Sequence, residues 1–248
     1  MPGPAPSPSL EHHHIWQRKP VLRAVYRDMY RRMDERRRPG SCLEIGGGIG
    51  NYKEENPQTL CLDIQALPSV DLVGDAHLLP FAGASFDNIV MIDALHHLER
   101  PGLFLEDAGR VLREGGRLIM AEPMISPVSR LVYTYFHPEP VRMDADPLAE
   151  GELDPDRDPF EANQAIPTLL FIHQKERFIQ SHPSLKLMLC RKFGLFAYPL
   201  SGGFRPWGLI PGFAARPLLW LETYLEKVLA PLMGFRMLVV IEKISLEH

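Results

Sequence analysis

The chain has 248 residues, 45% hydrophobic and 23% charged, with a formal charge of −4. This size suits one globular domain, or one domain with a sizeable insertion. No apolar run reaches 18 residues, because 228–241 is broken by Pro231, Gly234 and Arg236, so a spanning helix is excluded. Cys42, Cys61 and Cys190 show no paired spacing, and neither a disulfide framework nor a metal site is expected.

The small net charge hides an asymmetry. Residues 18–38 hold nine basic and three acidic side chains, and residues 144–161 hold eight acids and one arginine. A global nucleic-acid footprint is absent, while the basic segment stays open as a local contact surface.

Residues 1–15 alternate proline with small and polar residues and read as a disordered tail without a secretory signal; 246–248 read as a tag remnant. Residues 16–38 read as one amphipathic helix, with Val21, Leu22, Val25, Met29 and Met33 on its apolar face. Pro39-Gly40 ends it. Short strands follow at 41–45, 59–64, 70–73, 86–92 and 117–122, with a helix at 102–112 before the last. Strands alternating with turns and helices predict a parallel sheet. Residues 123–183 are rich in proline, acids, aromatics and histidine and read as an insertion over the sheet, with a short helix at 166–171. Strands at 185–190 and 235–243 enclose a helix at 213–232, interrupted near Pro217.

The strongest local signal is Glu44-Ile45-Gly46-Gly47-Gly48-Ile49-Gly50-Asn51. Glycine permits positive φ and lets a ligand press on the backbone. Asp63 ends the next strand, where a carboxylate can grip a ribose diol. Asp75-Ala76 follows the third strand. A dinucleotide fingerprint requires glycine at 51, where asparagine stands. An acid before the glycines repels a pyrophosphate and suits a ligand bearing an amine.

Taken in order, these landmarks resemble the class I S-adenosylmethionine-dependent methyltransferases, in the broad group of ubiquinone and menaquinone-type enzymes and a bacterial subgroup of unknown substrate. Besides the glycine loop, Asp63 and GDAHLLPF, the resemblance rests on FDNIVMIDALHHLERP (86–101) and VLREGGRLIMAEP (111–123). It implies an α/β, Rossmann-like, doubly wound sheet of seven mostly parallel strands, with an antiparallel last strand and a lid insertion after strand five. It implies one cytoplasmic domain over 16–245: an entry helix (16–40), a cofactor half (41–122), a lid (123–183) and the end of the sheet (184–245).

The same resemblance implies a set of cofactor contacts. Glu44 orients the methionine end of S-adenosyl-L-methionine, and Gly46, Gly47 and Gly48 line it. Asp63 takes the ribose and Ile64 packs on adenine. Asp75 and Ala76 meet the adenine edge, and Asp93 and Ala94 sit beside the sulfonium. The partner of the cofactor carboxylate is open, with 16–19 as a candidate segment.

In-line methyl displacement needs alignment and exclusion of water before it needs a base. His96, His97, Tyr133 and His137 are the candidates if one is used, with Tyr135, Glu139 and His173 behind them. Aromatic and aliphatic residues outside the sheet favour a small hydrophobic or aromatic acceptor. No DNA partner is expected, and RNA rests on the basic helix alone. The other readings are a non-catalytic cofactor-binding scaffold, an RNA methyltransferase and a nicotinamide-dependent oxidoreductase. Oligomeric state stays open.

Overall fold

The computed structural model describes residues 8–246. Seven strands form one sheet: β1 (Cys42–Ile45), β2 (Leu60–Asp63), β3 (Leu72–Val73), β4 (Phe86–Ile92), β5 (Leu112–Pro123), β6 (Leu185–Phe193) and β7 (Arg236–Lys243). Their spatial order is β3-β2-β1-β4-β5-β7-β6, and β7 alone runs antiparallel to its neighbours β5 and β6. The expected seven-stranded Rossmann-like α/β sheet with an antiparallel last strand is therefore the observed fold.

Strand alternation sends successive side chains to opposite faces. Ile89, Met91, Leu118, Met120, Val239 and Ile241 pack against α4 (Pro101–Val111) through Phe104, Leu105 and Ala108. Val90, Ile119, Ala121, Leu238 and Val240 pack on the other side against Leu22, Val25, Met29 and Met33 of α2 (Pro20–Asp34). Both faces are covered, so the central strands read as continuous apolar runs. The short helix α3 (Asn51–Glu55) follows the glycine loop after β1.

Several expected boundaries move. The predicted helix over 16–38 is two helices, α1 (Pro8–Arg18) and α2, because a proline at 20 disfavours helical backbone at Lys19. Helix also replaces disorder over 8–15. Trp16 is buried and edge-on to Tyr26, which gives this segment an anchor that its proline content does not reveal. The rest of the expected tail (1–7) and residues 247–248 of the expected tag lie outside the described residues.

Strand β5 starts five residues early. Leu112 pairs with Phe86, and Gly115, at φ +72°, lies inside a register irregularity. In the insertion, α5 (Pro127–Phe136) and α7 (Lys175–Ser181) join the expected short helix, which is α6 (Ile166–Thr168) running into a π-turn at Leu169–His173. Ser126 caps α5 reciprocally with Ser129. After β6 comes the short helix α8 (Ala197–Ser201).

Helix α9 (Gly212–Met233) runs without the expected break at Pro217, and it turns its acids inward. Glu222 is 1% exposed and accepts hydrogen bonds from the backbone N–H groups of Leu195, Phe196 and Ala197, ahead of and within α8. Glu226 is buried in a bidentate pair with Arg32 of α2, at 2.8 and 2.9 Å. Solvent meets Phe213, Trp220, Tyr224 and Val228 instead. No helix among the described residues is long and apolar enough to cross a membrane.

Candidate active site

The carboxyl ends of parallel strands leave a crevice where the strand order reverses, and ligands bind there in open α/β sheets. In this sheet β1 lies between β2 and β4, at that reversal. The predicted cofactor residues sit at these strand ends, and three contacts draw them together. A Cβ at Gly46 would stand 2.7 Å from the Ala94 Cβ, so the glycine lets the β1 turn touch the β4 turn. The Gly48 N–H donates to Asp63 Oδ2 at 2.8 Å. The Gly74 N–H donates to the Asp63 carbonyl at 3.0 Å, which brings Asp75-Ala76 alongside.

Gly46, Gly48 and Gly50 all adopt positive φ, a turn few other residues would form. Gly48 faces open space, whereas a Cβ at Gly47 would strike Cys61 Sγ and come within 3.1 Å of Glu44. Glu44 is buried, and its Oε2 has no hydrogen-bond partner among the described residues. Burial, with Asp63 adding repulsion, raises its carboxyl to about 8. A buried polar atom without a partner is costly and marks a site that a ligand donor can satisfy.

Asp63 is buried at the rim, and its other oxygen accepts from the Gln65 N–H at 2.8 Å. Ile64 is 45% exposed, an apolar surface beside that carboxylate. Asp75 is engaged by His77, through its backbone N–H at 2.9 Å and Nδ1 at 2.6 Å, and Ala76 is buried.

Asp93, expected beside the sulfonium, has both carboxylate oxygens engaged by the protein. Tyr26 donates to its Oδ2 at 2.9 Å, and Arg236 Nη2 lies 2.5 Å from its Oδ1. Arg236 is itself fully buried over the Tyr198 ring. Asp93 therefore anchors the β4 turn to α2 and β7, and it does so at φ +53°. Sequence reading missed Arg236 and Tyr26. The available signal was an arginine opening an otherwise apolar strand.

Lys19 is not free for a cofactor carboxylate. Its ammonium donates to the carbonyls of Gly203 (2.8 Å), Arg205 (2.8 Å) and Trp207 (2.6 Å), clamping that loop to the entry helices. Trp16 donates to Glu54.

The acceptor-side candidates separate into two groups. Tyr133 is buried, and its hydroxyl donates to the Phe235 carbonyl at 2.8 Å, which gives it a structural job. His96, His97 and His137 gather with Glu122 and Glu139. The Ala94 and Leu95 N–H groups both donate to Glu122 Oε1 at 2.9 Å. Glu122 Oε2 meets His96 Nδ1 at 2.8 Å, and His96 Nε2 stands 3.4 Å from Glu139 Oε2.

Burial disfavours charge on His96, but the hydrogen bonds it donates to Glu122 and Glu139 outweigh it and raise the ring to about 10. Burial lowers His97, and the neighbouring His96 charge adds to the effect; burial lowers His137 as well. The insertion closes on this turn. The Asn163 N–H donates to the His96 carbonyl and Arg157 to the His97 carbonyl, each at 2.9 Å.

Comparison with known proteins agrees with the cofactor half. Residues 43–120 match the family model described as a methyltransferase domain. A demethylmenaquinone methyltransferase of Renibacterium salmoninarum is 38% identical over 112 residues, covering 38% of this chain and 46% of that protein. A phthiotriol/phenolphthiotriol dimycocerosates methyltransferase of Mycobacterium leprae is 42% identical over 64 residues, covering 25% of this chain and 24% of that protein. The chain thus spans less than half the length of these relatives. A SAM-dependent methyltransferase from Archaeoglobus fulgidus shares the fold, with TM-score 0.51 and 15% identity over 89% of this chain and 94% of that one. The match at 43–120 is thus to a methyltransferase domain, and the structural likeness extends the shared fold over most of the chain.

Proposed function

We propose that this chain binds S-adenosylmethionine in the crevice above β1 and β2 and transfers its methyl group to a small hydrophobic or aromatic acceptor. The observation that carries the reading is the unpartnered Glu44 oxygen, buried beside a glycine loop with open space at Gly48 and tied by Gly48 to Asp63. This arrangement fits the cofactor's donors: an ammonium for Glu44, a ribose diol for Asp63 and a flat apolar ring for Ile64. Asp75 and the Ala76 backbone take the adenine edge, and the backbone of Gly46 and Gly47 lines the methionine end.

S-adenosylmethionine, when bound, supplies a methyl on a cationic sulfur. The protein's part is alignment and dryness, which can supply much of the rate in a displacement of this kind. Asp93, fixed by Arg236 and Tyr26, sets the β4 turn in one position. The insertion, hydrogen-bonded to the carbonyls of His96 and His97, acts as the lid that keeps water out.

The acceptor reading rests on an apolar group above the sheet: Ile125, Tyr133, Ala165, Leu169 and Phe235, with Val141 and Met143 packed against it. The names of the two curated relatives point to lipophilic acceptors, demethylmenaquinone and phthiotriol-type lipids. The test is incubation with cofactor labelled in its methyl group and a lipid extract. Label should move into the organic phase with the wild type and stay behind with Asp63→Ala. Binding of the demethylated cofactor without any label transfer would favour the non-catalytic scaffold.

A further inference from the structure

The cluster behind the β4 turn has a donor set that methyl transfer as such does not require. His96, His97 and Glu139 each offer one ligand atom, and these atoms lie within 4.8 Å of one another. We propose that they hold one divalent transition-metal cation of the zinc type, at the acceptor end of the crevice. The inference deepens the methyl-transfer reading, on which the role of the ion rests, and it replaces the expectation of no metal site.

The His96 ring carries the first argument. Glu122 occupies its Nδ1 side, and a carboxylate there fixes the tautomer that leaves Nε2 as a ligand, as metal-binding histidines commonly require. Glu122 is itself held by two backbone N–H groups, so the ring has a rigid support. Nε2 then stands 3.4 Å from Glu139 Oε2. Two ligands about 2.05 Å from a tetrahedral ion lie ~3.3 Å apart, so this pair already has a zinc-like spacing.

His97 is the second argument. Its ring lies 4.3 Å from that of His96, and its Nδ1 is buried without a hydrogen-bond partner among the described residues. Glu139 is also placed, by a hydrogen bond from Gln164 Nε2. His137 stands outside this set, its Nδ1 accepting from the Glu139 backbone N–H at 3.3 Å.

Charge is the third argument. Two carboxylates, Glu122 and Glu139, face this pocket, while the nearby Arg236 is already paired with Asp93. Without an ion, a protonated His96 bridges the two carboxylates through Nδ1 and Nε2; the dication takes the place of the Nε2 proton and balances both carboxylates with the imidazoles neutral. Two histidines and one glutamate form a known catalytic zinc set, and three protein ligands leave a coordination position for water or an acceptor oxygen.

The test uses the full chain after chelator treatment, titrated calorimetrically with Zn²⁺ in the wild type and in the His12→Ala/His13→Ala/His14→Ala variant. The variant removes the exposed histidine run that could bind metal adventitiously. One ion per chain is expected in both, weakened by about a hundredfold or more in His97→Gln and in Glu139→Gln, scaled from the ~10–100-fold known for second-layer partners. S-adenosylhomocysteine binding by the same variants reports that the cofactor half is folded. Co²⁺ gives a readout independent of the variants: intense visible bands of a four- or five-coordinate ion are expected, against the faint spectrum of the aqueous ion. Absence of Zn²⁺ binding, loss of it with the 12–14 substitutions, or binding unchanged in both His97→Gln and Glu139→Gln overturns the proposal. Failure of the wild type to bind S-adenosylhomocysteine bears instead on the methyl-transfer reading.

Discussion

Replacing Glu44 by glutamine isolates the group on which cofactor recognition turns. With its carboxyl raised to about 8, Glu44 is ~90% protonated at pH 7, while a free α-amino group of pKa ~7.8 is ~14% neutral. Pairing a carboxylate with an ammonium in the complex therefore releases most of one proton at pH 7. The release falls to zero near pH 8 and becomes proton uptake of similar size near pH 9. Ionising Glu44 on binding costs about 1 kcal/mol at pH 7, so affinity should peak near pH 8.

Stability follows the same group with a definite sign. Between pH 4.5 and 8 the folded state keeps the proton and the unfolded state does not, so stability is lost as pH rises. The loss from Glu44 alone is about 5 kcal/mol across that window. Glu44→Gln should flatten both profiles. It should also weaken S-adenosylhomocysteine at pH 8 by about 10–100-fold, the worth of a charge-assisted hydrogen bond. Calorimetry at pH 7 in two buffers of different ionisation enthalpy measures the proton directly. No proton release in the wild type, or the same release in the variant, would refute the assignment of Glu44 to the cofactor amine.

Three further outcomes follow from the geometry. Glu226→Ala leaves Arg32 buried with Asp28 as its one carboxylate partner among the described residues and should cost about 3–5 kcal/mol in urea unfolding, with little change in cofactor affinity once folded. Gly46→Ala forces a Cβ against Ala94 at positive φ, and should lower stability by about 1–3 kcal/mol and weaken cofactor binding together, both read from thermal melts with and without ligand. Tyr133→Phe removes one buried hydrogen bond to Phe235. A stability loss of about 1 kcal/mol is expected, and a rate loss of a hundredfold without it would restore Tyr133 as a base.

The cofactor half was legible because its chemistry is local. Positive φ selects glycine at 46, 48 and 50, and an acid ending a short strand is visible in any reading of 59–64. The acceptor side was not, because its meaning lies in pairings across the chain. Glu122 reads as one acid in an apolar strand until β5 places it against His96, and Glu139 lies in a loop without periodicity. The packing of helix α9 was hidden for the same reason. Its acids turn inward because Arg32, 194 residues away, awaits Glu226, while Glu222 satisfies three N–H groups near α8. Lys19 similarly belongs to a loop that starts at Gly203. Prolines misled at both ends of the scale, hiding α1 behind a disorder-like composition and splitting a helix that the hydrophobic pattern ran straight through.

The most direct test of the account is the affinity of S-adenosylhomocysteine for the wild type and for Asp63→Ala, measured by calorimetry on folded protein. Saturable binding of one molecule per chain is expected, weakened by at least about tenfold in the variant, since a carboxylate bridging ribose and the Gly48 amide is worth ~1.5–3 kcal/mol. No binding by the folded wild type, or equal binding by both proteins, would contradict it.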